Sequence, residues 1–271
     1  MIERVSSSEF TQMVVKYHYS KVMPKITKVF LGDSELQATM SLGWGVRPRH
    51  TIQKLFPSLN TKDYLEIGKM CVADEMPKNT ESVFLSRTLE WVSKNLPEIK
   101  IIFTWADGML GKVGYVYQAA NFLYGGHITT DTYLTAQGEK IHVRTMQGLY
   151  GKRPSFTELG ENDWLHYRGR QFRYVYFLCS HAERKRLLKE STVEWTRNYP
   201  KAGDLCWSIR TGSGWIDTPS LPYDPETSLL SENAQRAEAK SRQNLLFGGL
   251  DAKEVSREIR PATSREGLVQ F

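Results

Sequence analysis

Residues 64–107, YLEIGKMCVADEMPKNTESVFLSRTLEWVSKNLPEIKIIFTWAD, decide the fold. Tyr64 to Ala73 alternates and is apolar enough for a central strand, and Asp74 to Lys78 breaks it. From Ser82 to Leu96 the residues Val83, Phe84, Leu85, Leu89, Val92 and Leu96 fall on one helical stripe, and Pro97 marks its stop. Lys100 to Trp105 is a short apolar run of the kind buried in parallel sheets, and it leads straight into Ala106-Asp107-Gly108. Strand, helix, strand, helix and strand in that order, continuing through Tyr124 to Leu134, imply a mixed sheet with right-handed crossovers between successive strands.

Working outward, Ser6 to Ser8 followed by Glu9, Phe10, Met13, Val14 and Val15 predicts a capped helix ending near Tyr17, with His18-Tyr19-Ser20 at its exit. Lys28 to Leu31 and Leu36 to Trp44 read as a hairpin turning at Gly32-Asp33-Ser34, and Trp44 to His50 as a Gly/Pro-punctuated loop. On the other side, Gly114 to Phe122 predicts a helix, Tyr124 to Leu134 a strand, Arg173 to Cys179 the last strand and Ala182 to Lys189 a basic helix. The expected fold is α/β, a mixed central sheet flanked by helices over residues 1–216. Residues 217–271 form a polar extension, with a helix expected over Ser231 to Phe247.

Composition narrows the function classes. A chain of 271 residues, 40% hydrophobic, buries one sizeable core. Three cysteines, Cys71, Cys179 and Cys206, lack zinc or disulfide spacing and suit a reducing cytoplasm. Lysines and acids punctuate the first thirty residues, so no signal-peptide core is expected, and no apolar run approaches the ~20 residues of a membrane span. The net charge of +6 suits an anionic partner. Residues 150–210 hold twelve Lys/Arg against seven Asp/Glu, interleaved with Trp164, Tyr167, Phe172, Tyr174, Trp195 and Trp207. That mixture suits phosphate contact plus base stacking, with Arg168, Arg170 and Arg173 as DNA-binding candidates; a strand with arginines along its wet face has the same composition.

The block from Tyr64 to Gly126 resembles the GNAT acyltransferase core, down to a helix ending in Tyr117-Gln118-Ala119-Ala120-Asn121-Phe122. One departure stands at the head of the long helix. GNAT enzymes that bind acetyl-CoA carry a glycine-containing loop there, whose N–H groups cradle the pyrophosphate. This chain has Asp74-Glu75-Met76-Pro77-Lys78-Asn79-Thr80-Glu81, with three acids and no glycine, so acetyl-CoA is not the favoured cofactor.

Lys16-Tyr17-His18-Tyr19-Ser20, Gly43-Trp44-Gly45-Val46-Arg47-Pro48, and Ala106-Asp107 through Tyr117 to Phe122 together resemble the phage Mom family. The resemblance implies a GNAT-fold enzyme, phage-encoded and working in the bacterial cytoplasm. Such enzymes place a carbamoylmethyl group on the N6 amine of adenine in double-stranded DNA and so shield the genome from restriction. It also implies a small-molecule donor of unidentified chemistry, implicates iron, and carries over His18, Tyr19, Arg47, Asp107 and Tyr117. The alternative is an acetyl-CoA-dependent N-acetyltransferase acting on a small-molecule or protein amine; a third reading is a DNA-binding module without catalysis. Oligomeric state, homodimer included, stays open.

Adenine N6 is a poor nucleophile held inside the base stack, so an enzyme must extrude the base, hold it against aromatic faces and supply a proton acceptor. Asp107, after a buried strand and before glycine, is the candidate acceptor; capping the turn at Gly108 is the competing role. Tyr117 would assist the leaving group, or else be a core tyrosine with a satisfied hydroxyl. His18, Tyr19 and Asp107 form a nitrogen/oxygen set suited to iron, although a histidine at a helix end also serves as a cap. Arg47, Arg49 and His50 suit phosphate contact, or an ordinary solvated loop. The catalytic case expects Asp107 and Tyr117 to face one cleft.

Overall fold

The computed structural model describes residues 1–20, 23–45, 48–136 and 140–221, without the side chains of 142, 144, 145, 149 and 150. One sheet organises them. In chain order the elements are β1 (Glu3–Arg4), α1 (Ser7–Tyr17), β2 (Thr27–Asp33), β3 (Ala38–Gly43), α2 (Pro48–Leu55), β4 (Tyr64–Val72), α3 (Thr80–Asn95), β5 (Ile101–Asp107), α4 (Tyr115–Ala119) and β6 (Leu123–Leu134). Then come β7 (Lys140–His142), α5 (Val143–Tyr150), α6 (Phe156–Glu161), β8 (Leu165–Phe177), α7 (His181–Glu190), β9 (Trp207–Thr211) and β10 (Gly214–Thr218). The sheet runs β1-β2-β3-β4-β5-β8-β6-β7, with β9 on β8 and β10 on β9. The β4–β5 pair is parallel and the other described pairs are antiparallel, so the sheet is mixed and flanked by helices.

The elements form where the sequence pattern is strongest. Ser6 and Glu9 satisfy each other's backbone N–H groups in a capping box at the head of α1. Helix α3 buries Phe84, Leu85, Leu89 and Val92 against Leu65, Ile67, Ile102, Phe172 and Tyr174. On the opposite face α2 and α7 cover Tyr64, Ile101, Phe103 and Val175 with Ile52, Leu55, Phe56 and Leu187. No helix among the described residues is long and apolar enough to cross a membrane.

Several expectations are corrected. Pro48-Arg49-His50 opens a helix rather than continuing a loop, because Ile52 and Leu55 one turn on have a core to enter. The strand expected at Arg173 to Cys179 begins at Leu165, and it is not the last: β9 and β10 follow it. It inserts between β5 and β6, so these two consecutive strands are not neighbours. Strand β8 therefore serves both as partner of β5, over Gln171 to Phe177, and as partner of β9, over Tyr167 to Gly169. Strands β5 and β9 thus lie end to end on one edge of β8. Their junction is sealed by Trp207, whose indole Nε1 donates to the Gly108 carbonyl at 2.9 Å. Strand β10 runs across the boundary expected between 216 and 217. The helix expected over Ser231 to Phe247 lies outside the described residues, as does Arg47.

Candidate active site

Strands β4 and β5 are paired only from Tyr64↔Ile101 to Glu66↔Phe103, yet β4 continues to Val72 and β5 to Asp107. Past that register the two central strands are no longer bonded to each other. Their carboxyl ends therefore border a gap, which is where ligand groups gather in an open α/β sheet.

Strand alternation decides which side chains border the gap on each face. Along β5, Ile102 and Ala106 join the core under α3, whereas Ile101, Phe103 and Trp105 join the one under α2 and α7. Asp107 continues the second series. Glu66, set between Leu65 and Ile67 of the α3 core, also points to the α2 face.

On that face the exit of α1 meets the exit of β5. Phe10 and Val14 of α1 pack on Cys71 of β4 and place His18 as the helix C-cap. The His18 ring is buried, its Nδ1 accepts from the Ser20 N–H at 2.9 Å, and it leans on the Tyr19 ring with centroids 4.3 Å apart. Tyr19 is 55% exposed, and the Lys112 ammonium stands 6.0 Å from its ring centre. Lys112 belongs to the turn after β5, where its N–H donates to the Asp107 carbonyl. The Asp107 carboxylate caps that turn through Oδ1, which accepts from the Met109 N–H at 3.1 Å, while Oδ2 lies 3.9 Å from the Lys140 ammonium. Both roles weighed for Asp107 are thus open to it: it is a cap, and its second oxygen faces a cation at the sheet's end.

Tyr117 lies elsewhere. Its ring packs on Phe122 and Tyr174 within the α3 core, and its hydroxyl shares a hydrogen bond with Thr104. Burial pushes the phenol's pKa up despite that bond. Asp107 and Tyr117 therefore sit on opposite faces of the sheet, and the single cleft expected for the pair is not formed. The reason is positional: Thr104 and Asp107 differ by an odd number of residues along one strand.

The arginines divide as well. Arg173 alternates with Tyr174 and lies on the α2 face, paired across the strands with Trp105. Its guanidinium is half-buried, with Nε lacking a hydrogen-bond partner among the described residues and Nη2 reaching the His127 carbonyl at 3.4 Å. Burial holds its pKa below the usual arginine value. Arg168 and Arg170 share the other face with Phe172; Arg168 stacks 4.5 Å from the Trp215 ring centre, and Arg170 donates to the Asp204 carbonyl. Arg49 and His50 are exposed on the first turn of α2. Among the described residues no group of three or more His, Cys, Asp or Glu side chains is gathered as a metal site. Among those residues, His18, Tyr19 and Asp107 have no further His, Cys or carboxylate gathered with them to complete an iron site.

A model of the Mom protein family matches residues 1–201. The chain belongs to that family. Over 192 residues it is 27% identical to the methylcarbamoylase mom of Escherichia phage Mu, covering 69% of this chain and 78% of that protein. The family match runs from β1 past α7, so the β9–β10 hairpin lies beyond it. All three segments that carried the resemblance lie inside it.

Beside these candidates in the Mom-family chain, sequence reading did not single out Glu66 and Trp105. Glu66 is half-buried, accepts a hydrogen bond from the Gly45 backbone N–H, and is pushed by burial up to about 7. Trp105 is half-buried, its indole edge-on to Phe103 at 5.2 Å. A lone acid inside an otherwise apolar central strand was the available signal for Glu66.

Proposed function

We propose that this Mom-family chain is a DNA-modifying transferase that adds a carbamoylmethyl-type or acyl-type group to the N6 amine of adenine in phage DNA, protecting it from restriction. One observation supports this above the others: from the point where β4 and β5 part, Glu66, the half-buried Trp105 and Asp107 lie on one face, and beyond the end of β5 Lys112 approaches Tyr19 and Lys140 approaches Asp107. An extruded purine needs an aromatic wall and a proton acceptor, and the surrounding phosphates need cations. The splay between β4 and β5 also supports the GNAT-like reading of the sheet. The donor is a small molecule with an electrophilic carbon, and the substrate is double-stranded DNA.

The reaction asks three things of these residues. Trp105 offers a face for the base, Arg173, Lys112 and Lys140 supply positive charge, and a carboxylate takes the proton that N6 loses as it attacks. The competing acetyl-CoA reading meets an obstacle at the head of α3. There Asp74 and Glu75 stand exposed in the place where a pyrophosphate would need N–H donors, and Asn79 caps the helix without a side-chain hydrogen bond.

Expression of the chain beside a plasmid tests the proposal. Endonucleases with adenine in their sites should fail to cut that plasmid, while those with only G·C sites cut it normally; full cutting by both contradicts it. Acetyl-CoA should leave the melting temperature unchanged, whereas a ligand at a hundredfold excess over its Kd would add about 2.7 kcal/mol of stability.

A further inference from the structure

We propose that Glu66 is the proton acceptor of this site, the carboxylate that receives the N6 proton while the adenine amine attacks the donor carbon. The assignment rests on the transferase reading above and deepens it. In the step, the N6 lone pair forms the new N–C bond. The bond from the donor carbon to its leaving group breaks, and its electron pair leaves with that group. The N6–H bond breaks, and the proton goes to a Glu66 oxygen, from which water later removes it.

Position carries the assignment. Glu66 is the last β4 residue in register with β5, opposite Phe103, so its side chain stands where the two strands part. It shares the α2 face with the fully buried Phe103 and with Trp105, the half-buried ring that offers a purine an aromatic face. The Trp44-Gly45 turn closes over it: a Cβ on Gly45 would stand 2.6 Å from Oε2, so the backbone there lies directly against the carboxylate. The Gly45 N–H donates to one acceptor site, and no ion pair to a described lysine, arginine or histidine holds the group. From its own strand the facing titratable group is Tyr64, a buried phenol. From β5 the facing residues are Phe103 and Trp105, and from the turn Trp44, whose indole donates to the Thr61 carbonyl.

Asp107, the acceptor expected from sequence, is placed differently. One of its oxygens is committed to the Met109 N–H and the other faces Lys140, an arrangement that orders a turn. Glu66 has the opposite environment. Burial raises its carboxyl to about 7, so near neutral pH it both accepts and returns a proton.

The experiment compares cells expressing the full chain as wild type, Glu66→Gln or Glu66→Asp, by the modified fraction of adenosine in digested DNA. Glutamine keeps an oxygen for the Gly45 N–H but cannot take the proton. Glu66→Gln should therefore melt at or above wild type and lose at least about a hundredfold in modification, while Glu66→Asp retains modification above background. A Glu66→Gln protein that modifies DNA within about threefold of wild type overturns the assignment. So does one that melts well below wild type, which would make the carboxylate structural. If Glu66→Gln does not accumulate at all, Glu66→Asp decides: modification above background supports the role, and none at the wild-type melting temperature overturns it. Absence of modified adenosine with wild type is the distinct outcome that removes the transferase reading itself and this assignment with it.

Discussion

Glu66 makes a stability prediction that is independent of any chemistry. Its carboxyl is pushed from 4.5 in the unfolded chain to about 7 in the fold, so the native state holds this proton more tightly. The associated stability is fully present below about pH 4.5 and is lost as pH rises through about 7. After discounting for its partial exposure the change is about 1–3 kcal/mol. Urea unfolding of wild type and Glu66→Gln at pH 5 and pH 8 should show the variant gaining on wild type at the higher pH; an equal difference at both would contradict the burial of the carboxylate. Sequence held part of this. An acid within YLEIGKMCVA is visible as an anomaly, but the parting of β4 from β5 beside it and its cover by the Trp44-Gly45 turn are both tertiary. Asp107 was legible as a residue at a strand's end, and its capping role was foreseen. That Tyr117 lies across the sheet from it followed from strand parity, once the strand's pairing was known.

Among the elements, the end of β5 lies close against β8. A Cβ on Gly108 would stand 2.3 Å from the Arg170 carbonyl and 2.8 Å from the Phe172 ring. Gly108→Ala should therefore cost about 1–3 kcal/mol and lower the melting temperature by several degrees, as calorimetry would show. A neutral substitution would mean that Gly108 does not lie against β8 as described. At the other end, Ser6→Ala removes one half of a capping box and should cost about 1 kcal/mol of chemical stability. Elements with long, regular patterns, α1, α3, β4, β6 and α7, were readable because periodicity and capping agreed. Helix α2 was hidden by its Gly/Pro approach. The first half of β8 was hidden by Arg168 and Arg170, which share the face of Phe172 and so mask the alternation. The β9–β10 hairpin turns on Gly212-Ser213-Gly214, a signal present in the sequence but embedded in a polar stretch.

At the scale of the whole molecule, sheet order was the least legible property, since the insertion of β8 between β5 and β6 is a long-range pairing that no local pattern encodes. It also splits the basic segment, leaving Arg173 beside the gap and sending Arg168 and Arg170 to the opposite face with Trp215. Charge remains the basis for a global prediction. With a net +6, affinity for duplex DNA should fall steeply between low and moderate salt as counterions are released. Arg49→Ala, at the exposed head of α2, should reduce the slope of log affinity against log salt by about one; an unchanged slope would assign Arg49 to solvent.

The central claim, that this Mom-family chain alters adenine in DNA, is tested most directly by mass spectrometry of nucleosides from the DNA of cells expressing it. The account predicts a new deoxyadenosine species heavier by one transferred group in place of one hydrogen, with the other three nucleosides unchanged. An adenosine pool of unaltered mass, from cells in which the folded protein is shown to accumulate, would contradict it.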